Sequence, residues 1–320
     1  MQYTQQVHDP LEPHRRHFLA LAANIPARCR LVELSEGNSF TRKLRKLNAF
    51  GTRYLLWAMA QAGLSPGTVE FPLFWGDRVR LSYKEDADFV TFYLTGAPGG
   101  PEYKLARYLI KTLKSDDCFY DAGANYGFFT LLAAQLIGDQ GALHAFEPLP
   151  NVYQWLKGNV RHPPAHLIDA ALWDTTGAAT LYRHHLSDAF NTLEAAAADP
   201  DQAANPVTTQ VRCITLDDYA AINRPPTVLK IDVEGGEKRL IAGAVQTLRS
   251  ARPAIAMEIW AGANGKRFSL PACQSLIELG YMVFSLNEEG VAISLDKNDL
   301  MAFIESLPTT WDNLLFLPNR

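Results

Sequence analysis

The apolar positions of this chain change their period near residue 100. Before that point the pattern is uneven. A helical spacing runs over Thr41–Ala62, Ser65-Pro66-Gly67 breaks it, and two short strand-like runs follow, Val69–Leu73 and Arg78–Tyr83. Thr95-Gly96-Ala97-Pro98-Gly99-Gly100-Pro101 then reads as a loop. Beyond it the alternation is regular. Glu102–Lys114 places Leu105, Tyr108, Leu109, Thr112 and Leu113 on one helical face. Short apolar runs predict strands at Cys118–Ala122, Ala142–Phe146, Ala165–Ala171, Ala178–Tyr182, Thr227–Val233, Ala254–Ile259, Tyr281–Ser285 and Leu314–Leu317. Helical patterns cover Phe128–Ile137, Asn151–Asn159, Glu237–Leu248 and Leu270–Leu279.

Strands separated by helices predict an α/β fold with a parallel, doubly wound sheet. No helical pattern of ~10 residues separates the last two strands, so the final strand is expected to run antiparallel. Residues 102–320 form this unit, and 1–101 an α+β N-terminal extension that caps the substrate or forms a dimer surface, making a homo-oligomer possible. In an open sheet of this kind ligands bind at the carboxyl ends of the strands.

Three successive predicted strands end in an acid there. The first runs into Asp121-Ala122-Gly123-Ala124-Asn125-Tyr126-Gly127, a tight glycine loop opening a helix. It lacks the GxGxxG of a dinucleotide site and the GxxxxGK[ST] of a P-loop, which argues against a nicotinamide or other nucleotide-dependent enzyme. An acid before such a loop suits a ligand carrying an ammonium, such as the amino-acid part of S-adenosylmethionine. The second strand ends at Glu147-Pro148, an acid suited to ribose hydroxyls. The third ends at Asp169-Ala170, where a carboxylate accepts from an adenine amino group and a backbone N–H reads the ring. Further along, Lys230, Asp232 and Glu234 alternate onto one side of the fourth strand, and Glu258 lies in the fifth beside Trp260. A buried acid must be paired, hydrogen-bonded or protonated. Pairing with Lys230 or capping a helix therefore stands beside a catalytic role for Asp232 and Glu258.

FYDAGANYGFFTLLAA, AFEPLPNVYQWLKGNV, DAALWDTTGAATL, TLDDY and VLKIDVEGGEKRLIAGA together resemble the FkbM family of S-adenosylmethionine-dependent methyltransferases, from about residue 102 to the C-terminus. The resemblance implies a class I, Rossmann-like, seven-stranded fold and O-methylation of hydroxyls on sugars, glycans or natural products. By position it matches Asp121, Gly123, Asn125 and Gly127 to the cofactor loop, Glu147 to the ribose acid, Asp169 to the adenine region, and Asp232 and Glu234 to the block after the fourth strand. Ala122 and Tyr126 stand where valine and isoleucine are common. The first hundred residues match no pattern.

A sugar hydroxyl is a poor nucleophile and benefits from a base or a metal. Asp232 is the first candidate base, with Glu258 and Glu234 supporting. A second version places Mg²⁺ between Asp232, Glu258 and the substrate's oxygens. A degenerate, non-catalytic binding module is the other alternative, and the intact acids argue against decay. His184-His185 in a polar loop, Trp75 and Trp260 as sugar-stacking rings, and the basic run Arg42, Lys43, Arg45 and Lys46 are further candidates, each with a plainer reading as solvated or packed residues.

Composition narrows the partners. A chain of 320 residues that is 48% hydrophobic has material for a substantial core, and 30 basic against 34 acidic residues gives no basic excess for nucleic acid. Cys29, Cys118, Cys213 and Cys273 form no CxxC pair, and neither a zinc ribbon nor a dense disulfide framework is expected. No apolar run approaches a membrane span, and Phe18–Ala22 is short for a signal peptide, so a cytoplasmic location is expected.

Overall fold

The computed structural model describes residues 12–23, 68–82, 100–162, 165–183, 191–195 and 207–319. The Thr41–Ala62 helix, the basic run within it, His184-His185 and Cys29 lie outside the described residues. Helix α1 (Glu12–Ala23) is followed by a hairpin, β1 (Thr68–Pro72) paired antiparallel with β2 (Arg78–Ser82). Then come α2 (Gly100–Thr112), β3 (Cys118–Ala122), α3 (Phe128–Leu136), β4 (Ala142–Phe146), α4 (Pro150–Asn159) and β5 (Ala165–Ile168). Three short strands follow, β6 (Ala171–Leu172), β7 (Gly177–Arg183) and β8 (Val207–Ile214), then α5 (Leu216–Ala220) and β9 (Val228–Ile231). The chain ends with α6 (Glu237–Ala242), α7 (Val245–Ser250), β10 (Ala254–Trp260), α8 (Leu270–Glu278), β11 (Tyr281–Leu286), β12 (Ala292–Ser294), α9 (Leu300–Ser306) and β13 (Trp311–Pro318).

The main sheet has the order β12-β11-β13-β10-β9-β3-β4-β5. Strands β10, β9, β3, β4 and β5 are mutually parallel, and β13 inserts antiparallel between β10 and β11. This is the Rossmann-like α/β arrangement with an antiparallel last strand, extended at one edge by the three-residue β12. Alternation along β3 divides the core in two. Phe119 joins α2, α3 and α4 on one face, while Cys118, Tyr120 and Ala122 join α6, α7 and α8 on the other.

The described parts of the extension share the first of these cores. Phe18, Leu73, Val79 and Leu81 are buried in it, Arg15 donates to the Ile110 carbonyl at 2.7 Å, and Asn159 bonds both the N–H and the carbonyl of Arg80. Trp75 is buried edge-on to Phe128, with its Nε1–H on Asp77, so it is a packed tryptophan and not a sugar platform.

Two elements differ from their sequence patterns. The run Ala165–Ala171 is not one strand: β5 stops at Ile168, and the chain bends at Asp169-Ala170 into a separate sheet of order β6-β8-β7. Strand β8 escaped the pattern because only Val211 and Cys213 are buried on it, with polar residues between. Helix Glu237–Leu248 is two helices. A Cβ at Gly243 would lie 2.0 Å from the Trp173 carbonyl oxygen, so the chain breaks there, and the Asp217 carboxylate accepts from the N–H groups of Gln246 and Thr247 to start α7. Strand β12 and helix α9 between β11 and β13 are too short for a periodic signal.

Candidate active site

A cleft, open at its mouth, lies at the carboxyl ends of β3, β4 and β9. Gly123, Asn125, Phe146, Glu147, Pro148, Asp232, Val233 and Glu234 line it from the main sheet. Ala171, Leu172, Trp173 and Leu181 close it from the small sheet, with Asn191 and Leu193.

The glycine loop is built by close approach. Gly123 (φ 78°) packs on the backbone of Asp232, and the N–H groups of Gly123 and Ala124 both donate to the Phe146 carbonyl. Asn125 follows in the left-handed region (φ 51°), a conformation asparagine tolerates better than most residues. Its backbone N–H donates to Glu147 Oε2 at 3.0 Å, and Leu149 N–H donates to Oε1 at 2.9 Å. Glu147 is thereby fixed at the end of β4. The Oδ1 of Asn125 is buried and has no hydrogen-bond partner among the described residues, as expected of an atom that meets a ligand donor.

Asp121 is placed differently from the sequence expectation. It is buried beneath the loop on the α3 side of the sheet, where Thr130 donates to it at 2.6 Å and Lys230 Nζ lies 3.3 Å away. It is not among the residues that line the cleft. Tyr126 is also a core residue, and Gly127 shapes the helix start, its missing Cβ leaving room for Val160 and Leu156. Asp169 and Ala170 leave the cleft altogether. The bend after β5 turns Asp169 outward, 65% exposed and ion-paired with Arg212 of β8 at 2.8 Å, and packs Ala170 inside.

The acids of the fourth and fifth strands do converge. Single oxygens of Asp232, Glu234 and Glu258 lie within 4.8 Å of one another. Lys230 Nζ holds Asp232 Oδ2 at 3.1 Å and also reaches the Gly123 carbonyl, and Trp260 Nε1 donates to Glu258 Oε1 at 3.1 Å. Burial works against the ammonium of Lys230, yet Asp232 and Asp121 together keep it above the usual lysine range. Burial, then the charges of Asp232 and Glu237, hold Glu234 well above the usual carboxylate range, with Lys230 opposing. Burial, then Asp232 and Glu234, do the same to Glu258. Glu234 itself sits at φ 53°, a conformation costing about 1–3 kcal/mol for a residue other than glycine.

Sequence reasoning missed three features of the site. Trp173 lines the cleft, and a Cβ at Gly236 would meet its ring at 2.4 Å. Glu237 is buried at the start of α6, its Oε1 accepting from Gly235 N–H at 3.1 Å and Val233 N–H at 3.3 Å. Glu102, from α2, contributes to the charge around Glu258. Trp173 lies in the WDTTGAATL block and Glu237 in the VLKIDVEGGEKRLIAGA block, whereas Glu102 lies in no motif.

Over 201 residues the chain is 24% identical to hexuronic acid methyltransferase AglP of Haloferax volcanii, covering 62% of this chain and 78% of that one. Among solved structures, methyltransferase FkbM from Methylobacillus flagellatus aligns over 72% of this chain with a TM-score of 0.44 and 16% identity. The chain spans about half (53%) of that structure's length. Fibrillarin of Aeropyrum pernix, solved with natively bound S-adenosyl-L-methionine, aligns over 67% of this chain and 74% of its own, at 16% identity and a TM-score of 0.37. The family model described as the methyltransferase FkbM domain matches residues 121–281, half of the sequence, and the chain belongs to that family.

Proposed function

We propose that this protein transfers a methyl group from S-adenosylmethionine to a hydroxyl oxygen of a sugar, glycan or natural-product acceptor. The observation that carries the reading is the meeting of Asp232, Glu234 and Glu258 at one end of a cleft whose other walls are the Gly123 loop, Asn125, Glu147 and Pro148. The residues fit the cofactor. Glu147 lines the cleft as a carboxylate suited to ribose hydroxyls, and the buried Asn125 Oδ1 has no hydrogen-bond partner among the described residues. When bound, S-adenosylmethionine supplies a sulfonium methyl group that passes to the acceptor oxygen as the carbon–sulfur bond breaks.

The chain's own residues position the acceptor and take its proton. Asp232, 27% exposed in its side chain and held by Lys230, is the base that accepts the hydroxyl proton. Glu258, oriented by Trp260, and Glu234 flank it and hold the acceptor by hydrogen bonds. Residues 102–320 form the catalytic unit, and the extension 1–101 caps the substrate or forms a dimer surface. AglP is described as acting on a hexuronic acid, which favours a carbohydrate acceptor here.

Calorimetry with S-adenosylmethionine, followed by a mass-spectrometric screen for methylated products from nucleotide sugars, glycans and glycolipid head groups, tests the reading. Absence of cofactor binding overturns it. An Asp232→Asn variant with undiminished turnover overturns the base assignment alone.

The three converging carboxylates also favour a second version, in which Asp232 and Glu258, with Glu234 beside them, would hold a Mg²⁺ that would supply Lewis-acid activation of the acceptor hydroxyl. Carboxylate oxygens are donors of the right hardness, though Lys230 competes for Asp232. Turnover unchanged by EDTA removes this version.

A further inference from the structure

Two stretches of chain carry the cleft wall that faces the main sheet. One is Ala171–Trp173; the other contributes Asn191 and Leu193. The first is pinned through its backbone. Trp173 N–H donates to the Ile214 carbonyl at 2.9 Å, and the Trp173 carbonyl takes the space of a Cβ at Gly243. The second is tied to the small sheet. Thr192 exchanges both backbone hydrogen bonds with Tyr182, at 2.8 and 3.0 Å, and Leu193 packs on the cluster that includes Leu149, Leu181 and Val211.

A single cation joins both stretches to the helix that follows the converging acids. Arg239 lies in α6, directly after the turn carrying Asp232 and Glu234. Its Nη1 donates to Asp174 Oδ2 at 2.7 Å, and its Nε lies 3.6 Å from Glu194 Oε2. Its guanidinium carbon stands 6.0 Å from the centre of the Trp173 ring, the same ring that a Cβ at Gly236 would meet. Asp174 and Glu194 each follow a residue that lines the cleft, Trp173 and Leu193. With no cation to share, these two carboxylates would repel each other. Arg239 turns that repulsion into attraction.

We propose that Arg239 is a positioning residue that clasps Trp173 and the Asn191–Leu193 stretch against the Asp232–Gly236 turn, setting the cleft to the width S-adenosylmethionine requires. This rests on the methyl-transfer reading above, since it takes the cleft as the cofactor's. The guanidinium side chain is 55% exposed, so each ion pair stands in water, adds little to folding and is screened by salt. Its effect belongs to binding. Where the clasp is lost, the wall occupies its binding position for a smaller fraction of the time, and apparent affinity falls by that fraction.

Titration calorimetry of the full chain with S-adenosylhomocysteine, at low and high KCl and with melting temperature measured alongside, tests this. Arg239→Met should weaken binding by about threefold to tenfold while the melting temperature stays within about 3 °C of wild type. Arg239→Lys, which keeps the charge, should retain more of the affinity. Glu194→Gln alone should weaken binding, yet added to Arg239→Met it should restore part of the loss, because it removes the repulsion. Added KCl should weaken wild type more than Arg239→Met. Affinity of Arg239→Met within about twofold of wild type, or a loss that Glu194→Gln fails to relieve, overturns the clasp and leaves the methyl-transfer reading standing. Failure of wild type to bind S-adenosylhomocysteine overturns both. Should Arg239→Met not fold, Glu194→Gln alone decides: wild-type affinity with wild-type salt dependence overturns the clasp.

Discussion

Gly123 and Asp232 touch through their backbones: a Cβ at Gly123 would lie 1.8 Å from the Asp232 carbonyl oxygen. The N–H of Asp232 also donates to the Ala122 carbonyl at 3.1 Å. The glycine loop and the candidate base are therefore parts of one rigid joint, and moving one moves the other. Gly123→Ala must displace backbone while holding a φ of 78°. We expect a stability loss of about 2–5 kcal/mol, read by thermal denaturation, with loss of S-adenosylmethionine binding. An unchanged melting temperature and affinity would show that the loop moves independently.

Lys230 lies between Asp121 and Asp232, at 3.3 and 3.1 Å, with its Nζ 5.2 Å from the centre of the Phe129 ring. Lys230→Met leaves Asp121 as an uncompensated buried charge, an expected cost of about 3–5 kcal/mol. Asp121→Asn in the same chain should recover part of it. A denaturant-based double-mutant cycle measures the coupling, and strictly additive losses would argue against the pair.

Burial pushes the carboxyl of Glu237 up to about 7, against opposing hydrogen bonds from backbone N–H groups. The folded state therefore holds this proton more tightly than the unfolded chain does. Below the ordinary value near 4.5 both states are protonated and no difference arises; between 4.5 and 7 the unfolded chain loses its proton first, so stability falls as pH rises. The loss is complete above this window and amounts to about 3 kcal/mol as an order of magnitude. Glu237→Gln keeps an acceptor for Gly235 and Val233 and should flatten the stability profile across that range. A profile as steep as wild type would assign the pH dependence to other acids.

Asp169→Ala separates the expectation from the sequence from the position the fold imposes. The ion pair with Arg212 is exposed, and its loss should cost no more than about 1 kcal/mol. Because the side chain lies outside the cleft, affinity for S-adenosylmethionine should stay within about twofold of wild type. A tenfold loss would bring Asp169 back as an adenine contact.

Much of this protein was legible before folding, for reasons that can be named. Strands β3 and β4 match their patterns residue for residue because both are short, apolar and bounded by turn residues. The carboxylate at the end of β4 and the glycine loop after β3 were recognisable from local spacing, since each lies within one strand-to-helix turn. The meeting of Asp232 and Glu258 followed from two adjacent parallel strands ending in acids.

What tertiary structure alone decided involves choices that local pattern does not encode. Asp121 and Asp169 are both acids at strand ends, yet one is drawn under the loop by Lys230 and Thr130, and the other is turned out by a bend into a second sheet. Gly243 breaks a helix whose periodicity is intact because a carbonyl from Trp173, distant in sequence, occupies the space of its Cβ. The sequence by itself determined the parallel strands of the main sheet and most of the helices between them, the family and the chemistry available at the strand ends. Long-range packing and burial decided which acids face the cleft, because the cost of an unpaired buried charge depends on partners that only the folded chain brings together.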